Sequence, residues 1–277
     1  MSTNAPLEVV LFAADREWMR RGLEAGIESF LVDWEFRGKQ HRQRSADTEV
    51  SCGNAADLRR LASFRIPRRY CRINPWGPWT RDEVERALEA GATDLFLPMV
   101  RRPRDVDATA RWVDGRCRFG LLVETRDALE CLRDLAAQPV DFVYVGLNDL
   151  AISLGSTSIF DSLIDGTVDR VRNAFDAIPF GCGGVTAIDK GCPIPARLLL
   201  AELARLGCHF SFGRRSFRRD LADRDLTREM PRIQHAWCEL LRRSGAEIDA
   251  DRERFIAAGR RASVPAIAAL ARLAPPA

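Results

Sequence analysis

The sequence predicts an α/β protein, a (β/α)8 TIM barrel with a C-terminal helical extension. Short apolar runs alternate with amphipathic helical patterns, giving eight strand–helix alternations over residues 1–219. The runs are apolar throughout, as is typical of parallel strands covered on both faces. The alternative is an open doubly wound sheet, but no G-x-G-x-x-G motif follows the first run, which disfavours a dinucleotide-binding fold.

Strand ends and helix caps define the first half of the barrel. Asp15 is placed to cap the first helix, and Asn54 or Asp57 the second. Thr80 and Glu83 have the spacing of a capping box, which predicts that they close the start of the third helix. The predicted strands are residues 7–13, 27–32, 69–74 and 95–99, and a helix over 105–113 follows the last of them.

The second half continues the alternation and ends in a helical tail. Residues 146–150 read as a glycine turn, followed by a less regular stretch over 153–165. The tail, residues 220–277, carries more apolar helix face than an eighth barrel helix can bury. It therefore either caps its own barrel or packs as an arm on a neighbouring subunit. The remaining predicted strands are 119–123, 142–145, 179–185 and 208–212, and the helices are 126–137, 168–177 and 196–206.

Composition narrows the class of protein. The net charge of +3 and the absence of a dense basic block argue against a nucleic-acid partner. No apolar run approaches the ~20 residues that span a bilayer, and the amino terminus has no basic-then-apolar signal sequence. None of the eight cysteines forms a C-x-x-C pair, so zinc is not indicated. A reducing cytoplasm is the expected location.

Lysine usage bears on the chemistry. The chain has two lysines, Lys39 and Lys190, and both lie in polar stretches that read as loops. A Schiff-base aldolase needs a desolvated lysine at the reacting centre. The sequence therefore disfavours covalent lysine catalysis.

Two carboxylates follow consecutive predicted strands. Glu124 ends the fifth strand and Asp149 follows the sixth. The carboxyl ends of barrel strands share one mouth, where catalytic groups gather. Two carboxylates there suit a hard cation such as Mg²⁺. Each residue also has a structural alternative, Glu124 as a helix cap and Asp149 as part of a turn, but the pair favours a metal site.

The assembled motifs resemble the HpcH/HpaI aldolase and citrate lyase β-subunit family, within the pyruvate- and phosphoenolpyruvate-binding barrels. Their order and spacing over roughly residues 7–220 carry the resemblance more than any one motif does. The motifs are Val32-Asp33-Trp34-Glu35, Cys71-Arg72-Ile73-Asn74, Leu97-Pro98-Met99-Val100, Leu122-Val123-Glu124-Thr125, Val145-Gly146-Leu147-Asn148-Asp149-Leu150 with Leu154-Gly155, and Phe212-Gly213-Arg214-Arg215-Ser216-Phe217.

The resemblance implies a role for each matching residue. Glu124 and Asp149 would bind Mg²⁺ or Mn²⁺, and Arg72 would face the substrate carbonyl and the developing enolate. The backbone at Asn148 and Asp149 would receive a substrate carboxylate, with Pro98 also contributing to substrate binding. Asp33 and Glu35 would line the mouth and organise water near the metal. For Arg72, Asp33 and Glu35 the alternative is a structural ion pair.

This chain departs from the family pattern at three places. Phe36 stands where the pyruvate-aldolase branch carries a catalytic His, and His41 is the nearest substitute. Residues 9–14 lack the Arg-Ser and Pro of the acyl-CoA branch, and Leu147 replaces a Pro. The resemblance thus leaves the general base unassigned, with a metal-bound water held by Asp33 or Glu35 as one candidate.

The expected function is that of a metal-dependent, class II type carbon–carbon lyase or aldolase. It would act through the enolate of a small 2-oxo acid or an acyl thioester such as acyl-CoA, in a homotrimer or homohexamer as the family implies. Two alternatives stay open. The chain could be another enzyme on the same scaffold, such as a transferase, a thioester hydrolase or a phosphoenolpyruvate-using enzyme. It could also be a non-catalytic protein that binds metal and oxo acid.

Overall fold

The computed structural model describes residues 5–13, 15–38, 53–213 and 215–273, without the side chains of residues 215 and 262–273. Eight parallel strands close into a barrel in which each strand pairs with its neighbours in sequence, and β1 pairs with β8. The predicted (β/α)8 barrel is confirmed. The strands are β1 (Glu8–Phe12), β2 (Ser29–Asp33), β3 (Arg68–Arg72), β4 (Asp94–Leu97), β5 (Arg118–Val123), β6 (Phe142–Val145), β7 (Phe180–Cys182) and β8 (Phe210–Phe212).

Helices follow the strands and form the outer layer. In the described part of the chain they are α1 (Arg16–Glu24), α2 (Ala55–Ser63), α3 (Thr80–Glu89), α4 (Pro103–Val113), α5 (Arg126–Glu130), α6 (Leu132–Ala136), α7 (Leu147–Leu154), α8 (Asp161–Ile164), α9 (Thr167–Ala174), α10 (Ala196–Arg205), α11 (Arg215–Asp220), α12 (Leu226–Leu241) and α13 (Gly245–Leu273).

The hydrophobic core has two parts because strand side chains alternate between the barrel axis and the helices. The part between strands and helices is the larger. The part inside the barrel is unusually aromatic, and Tyr144 stacks on Phe212 with ring centroids 3.9 Å apart. The interior is therefore filled with side chains, and any binding site must lie at an end of the barrel. The interior residues are Val10, Leu31, Tyr70, Phe96, Leu122, Phe142, Tyr144, Phe210 and Phe212.

Two of the three predicted helix caps form. Asp15 accepts a hydrogen bond from the Trp18 amide, and Asn54 makes a full capping box at the start of α2. The capping box predicted at Thr80 and Glu83 is wrong. Helix α3 begins without a side-chain cap, and Glu83 turns inward to bind Asn74.

Two further predictions of secondary structure are wrong in detail. The helix predicted over 126–137 is two short helices, α5 and α6, separated at Cys131. The predicted glycine turn at 146–150 is the start of α7, whose N-cap residue is Gly146. Asn148 and Asp149 therefore lie in the first turn of a helix.

The C-terminal tail packs against its own barrel over the residues whose side chains are described. Helix α12 contacts α1 and α10, and α13 contacts α8 and α10. Trp237 donates a hydrogen bond to the Ala5 carbonyl at 3.1 Å, which ties α12 to the start of the chain. The division at residue 220 stays a prediction. Among the described residues, no helix combines the length and apolarity needed to cross a membrane.

Candidate active site

The predicted site residues converge at the carboxyl ends of the strands. Asp33 ends β2, Arg72 ends β3, Glu124 follows β5 and Asp149 lies in the first turn of α7. Parallel strands put these four positions at the same mouth. All four side chains are buried, so the charges interact through protein as well as water.

Arg72 makes a two-point ion pair with Asp33. Its Nε donates to Oδ1 of Asp33 at 2.8 Å, and its Nη2 donates to Oδ2 at 2.7 Å. Glu35 is the second carboxylate near the guanidinium, with Oε2 3.5 Å from Nε. Burial by itself lowers the pKa of Arg72, but the charges of Asp33 and Glu35 outweigh it and raise that pKa well above its usual value. Arg72 is thus charged and fixed in orientation.

The backbone of the residues that follow β4 and β6 fixes the position of the Glu124 carboxylate. Its Oε1 accepts a hydrogen bond from the Met99 amide at 2.8 Å, and Met99 follows the buried Pro98 with a positive φ of 52°. Gly146 approaches the other oxygen so closely that a Cβ on it would lie 2.2 Å from Oε2 of Glu124. Any side chain at position 146 would displace this carboxylate.

Glu124 lies in a surplus of negative charge. Burial, followed by the charges of Asp149 and Glu35, raises its pKa to about 8, although the charge of Arg72 and the hydrogen bond from the Met99 amide act in the opposite direction. A carboxyl group whose pKa is raised this far by burial and by neighbouring negative charges is typical of functional sites. A bound cation would relieve the repulsion.

Four consecutive backbone amides fix the turn that carries Glu35, and three of them bind β3 or the residues that follow it. Trp34 N donates to the Arg72 carbonyl at 2.8 Å, and Glu35 N donates to Oδ1 of Asp33 at 3.1 Å. The amides of residues 36 and 37 donate to Oδ1 of Asn74 at 3.0 and 2.9 Å. This makes Asn74 a member of the site.

Asn74 is anchored in turn by Glu83 of α3. Asn74 N donates to Oε2 of Glu83 at 2.9 Å, and Asn74 Nδ2 donates to Oε1 at 2.7 Å. Both residues are buried. The sequence does not predict this pair, because Asn74 ends the Cys71-Arg72-Ile73-Asn74 motif and Glu83 has the local spacing of a helix cap.

Two tryptophans flank the mouth after β3 and differ in role. Trp79 packs within its loop, where Nε1 donates to the Pro75 carbonyl at 2.9 Å and the Arg37 guanidinium lies 4.1 Å from the ring centroid. Trp76 is exposed and lines a cavity of about 160 Å³ together with Met99. Met99, one of the residues that line this cavity, also donates its backbone amide to Glu124.

The other candidate residues are accounted for as follows. The Nδ2 atom of Asn148 is buried and finds no acceptor among the described residues. Phe36 and Lys190 are exposed, and Lys190 follows β7 in a loop, as predicted for that lysine. His41 and Lys39 lie outside the described residues.

The donors present fit a divalent cation. Glu124 and Asp149 offer buried carboxylate oxygens of the kind that Mg²⁺ and Mn²⁺ prefer. In the described ranges, no group of three or more His, Cys, Asp or Glu side chains is arranged to hold an ion. Binding through Glu124 and Asp149, with other ligands from solvent or substrate, stays a prediction.

Comparison with solved structures finds barrels of similar fold. A HpcH/HpaI aldolase/citrate lyase family protein from Burkholderia cenocepacia J2315 is 20% identical, with a TM-score of 0.57 over 86% of this chain and 95% of that one. A HpcH/HpaI aldolase from Desulfitobacterium hafniense DCB-2 is 18% identical, with a TM-score of 0.56 over 76% and 86%. The citrate lyase β subunit of M. tuberculosis, complexed with oxaloacetate and magnesium, is 19% identical, with a TM-score of 0.52 over 88% and 100%.

No family model matches the chain, and no curated protein matches it either. The structural likenesses show a shared barrel fold, and they agree with the resemblance drawn from the motifs.

Proposed function

We propose that this protein is a divalent-metal-dependent carbon–carbon lyase or aldolase of the HpcH/HpaI and citrate lyase β type. It acts on a small 2-oxo acid or an acyl thioester through an enolate. One observation carries the proposal: the buried carboxyl groups of Glu35, Glu124 and Asp149 lie close together at the barrel mouth beside the oriented guanidinium of Arg72, and burial together with the charges of Asp149 and Glu35 raises the pKa of Glu124 to about 8. The related fold of a magnesium- and oxaloacetate-bound citrate lyase β subunit supports it.

Glu124 and Asp149 would hold Mg²⁺ or Mn²⁺. When bound, the ion supplies a Lewis acid that polarises a carbonyl and stabilises an enolate oxygen. The Met99 amide fixes one oxygen of Glu124, so this ligand is oriented before substrate enters. The first turn of α7, with Asn148, would receive the substrate carboxylate, because backbone amides at a helix N-terminus favour anions.

Arg72 would stabilise the developing negative charge of the enolate. The bidentate contact with Asp33 holds the guanidinium plane in place, so little reorganisation is needed when charge forms on the substrate. Asp33 is then a residue that orients Arg72. Its two oxygens already accept hydrogen bonds from that side chain.

Of Asp33 and Glu35, Glu35 is better placed to act as the general base, directly or through a water that it holds. Protonating Asp33 would weaken a buried two-point ion pair, whereas Glu35 lies farther from Arg72, at 3.5 Å from Nε. Glu35 is also within electrostatic reach of Glu124. In the cleavage direction Glu35 would take the proton of the substrate hydroxyl, either directly or through water.

The test is turnover of a panel of hydroxy-oxo acids and hydroxyacyl thioesters with Mg²⁺ or Mn²⁺. We expect release of a 2-oxo acid or an acyl thioester, loss of turnover with EDTA, and recovery on adding metal. Borohydride treatment with an oxo acid should label no lysine, and Lys190→Arg should keep full activity. EDTA-resistant turnover, or a reduced adduct on a lysine, would overturn the mechanism. Metal and oxo-acid binding without turnover would instead indicate the non-catalytic alternative.

A further inference from the structure

We propose that Asn74 and Glu83 form a positioning pair that sets the place of Glu35 in the active site. This inference rests on the proposed function for its catalytic consequence. The structural part, that the pair holds the turn carrying Glu35, stands without it. Neither residue touches the reacting groups described above, so both would act through the backbone of residues 34–37.

Asn74 is the residue that anchors the turn carrying Glu35. Its Oδ1 accepts the Phe36 and Arg37 amides at 3.0 and 2.9 Å, so one side-chain oxygen replaces the carbonyl that a continued β3 would offer. The β2–β3 ladder ends one step earlier, where Trp34 N donates to the Arg72 carbonyl. Asn74 thus extends strand pairing past the end of both strands.

Glu83 decides which way the Asn74 amide faces. An asparagine side chain could turn its NH₂ or its oxygen toward the Glu35 turn. Because Oε1 of Glu83 accepts from Nδ2 of Asn74, the NH₂ must face α3 and Oδ1 must face the turn. The other oxygen of Glu83 accepts from the backbone amide of Asn74. The cost of burying the Glu83 charge is offset by two charge-assisted hydrogen bonds.

The consequence reaches the site through one residue. Glu35 precedes Phe36 directly, and its carboxylate is fully buried beside Arg72. If the amides of residues 36 and 37 were released, the backbone on one side of Glu35 would lose its fixed position. A shift of about 1 Å in a catalytic group is enough to lower a rate substantially.

A donor–acceptor swap tests the pair. Asn74→Asp sets two carboxylates face to face. In Glu83→Gln, the glutamine NH₂ must face either the NH₂ of Asn74 or the backbone N–H of Asn74, so two donors meet in either orientation. The double variant N74D/E83Q restores every hydrogen bond, since the glutamine NH₂ donates to the new aspartate oxygen and the glutamine oxygen accepts from the backbone amide of residue 74. Glu85→Gln is the matched control on the same helix, because Glu85 pairs with Arg116 at the surface.

The first measurement is hydrogen exchange of the amides of Phe36 and Arg37. We expect exchange faster by about tenfold or more in each single variant, with the strand amides unchanged, and wild-type exchange in the double variant and in Glu85→Gln. Unchanged exchange at residues 36 and 37 in both single variants would overturn the inference. Should N74D fail to fold, E83Q and the double variant still decide it.

The second measurement is steady-state kinetics. We expect kcat to fall by about tenfold or more in the single variants with a smaller change in KM, and to recover in the double variant. Faster exchange with unchanged kcat would refute a role in positioning Glu35. If the wild-type protein turns over no substrate, the proposed function fails, and the exchange data still decide whether the pair holds the turn.

Discussion

The guanidinium of Arg72 and the carboxylate of Asp33 meet through two hydrogen bonds of 2.8 and 2.7 Å. The ends of two adjacent strands are thereby joined inside the candidate site, since Asp33 pairs with Arg72 in the β2–β3 register. The two guanidinium N–H donors that could bind two substrate oxygens are already bound to the Asp33 carboxylate. Arg72 therefore contributes to stability as well as to the proposed chemistry.

We expect Arg72→Lys to destabilise the protein almost as much as Arg72→Ala, by about 3 kcal/mol or more, because an ammonium cannot make both hydrogen bonds and Asp33 is left buried. Urea unfolding measures the loss. Arg111→Ala removes an exposed ion pair with Asp107 and should cost no more than about 1 kcal/mol. Wild-type stability in Arg72→Lys would contradict the expectation. For the proposed reaction, both Arg72 variants should show a fall in kcat that is larger than the change in KM.

Metal binding should depend on Glu124 and Asp149. Glu124→Gln keeps an oxygen for the Met99 amide but removes the buried charge, so we expect the fold to persist while Mg²⁺ and Mn²⁺ binding is lost. Asp149→Asn should give the same result. Isothermal titration calorimetry tests both, with the exposed Asp127→Asn as the control. Wild-type affinity in both site variants would rule out this metal site.

The stability of the protein should fall with acidity partly because of His209. Burial lowers the pKa of His209, Arg172 lowers it further, and Nδ1 accepts the Phe180 amide at 3.3 Å. The unfolded chain, with a histidine pKa near ~6.5, therefore takes up this proton first as the pH falls. The contribution of the neutral His209 side chain to the free energy of unfolding is therefore fully present above that pH and is lost as the pH falls below it.

The matching variant is His209→Gln, which can still accept the Phe180 amide but does not titrate. Urea unfolding from pH 7.5 to 5.5 should show a larger loss for the wild type than for the variant, and the carboxyl groups contribute equally to both. Parallel pH profiles would show that His209 does not contribute.

We expect a homotrimer or a homohexamer, as the family resemblance implies. The described part of the tail packs on its own barrel, so this expectation no longer depends on an arm formed by residues 226–258. Exposed apolar side chains at the carboxyl-terminal end of the barrel, including Trp76 and Ile152, would be covered by a neighbour. Light scattering at micromolar concentration measures the mass, and a stable monomer would count against an oligomer.

The sequence alone determined the architecture of the barrel. Strand runs and helix patterns are local signals, because burial on both faces and helix amphipathicity depend on each segment's own residues. The caps at Asp15 and Asn54 were predicted for the same reason, since a cap involves residues only two or three apart. Strand ends also gave the positions of Arg72, Glu124 and Asp149 at one mouth.

The tertiary structure decided the partners of these residues. Glu83 has the local spacing of a capping box, yet its carboxylate binds Asn74 from the preceding loop, because two charge-assisted hydrogen bonds to a buried group outweigh a helix cap. Likewise, the sequence left open whether Arg72 paired with protein or faced substrate, and the close approach of β2 and β3 gave it Asp33. The raised pKa of Glu124 arises from burial beside Asp149 and Glu35, which are far apart in sequence and meet only when the barrel closes.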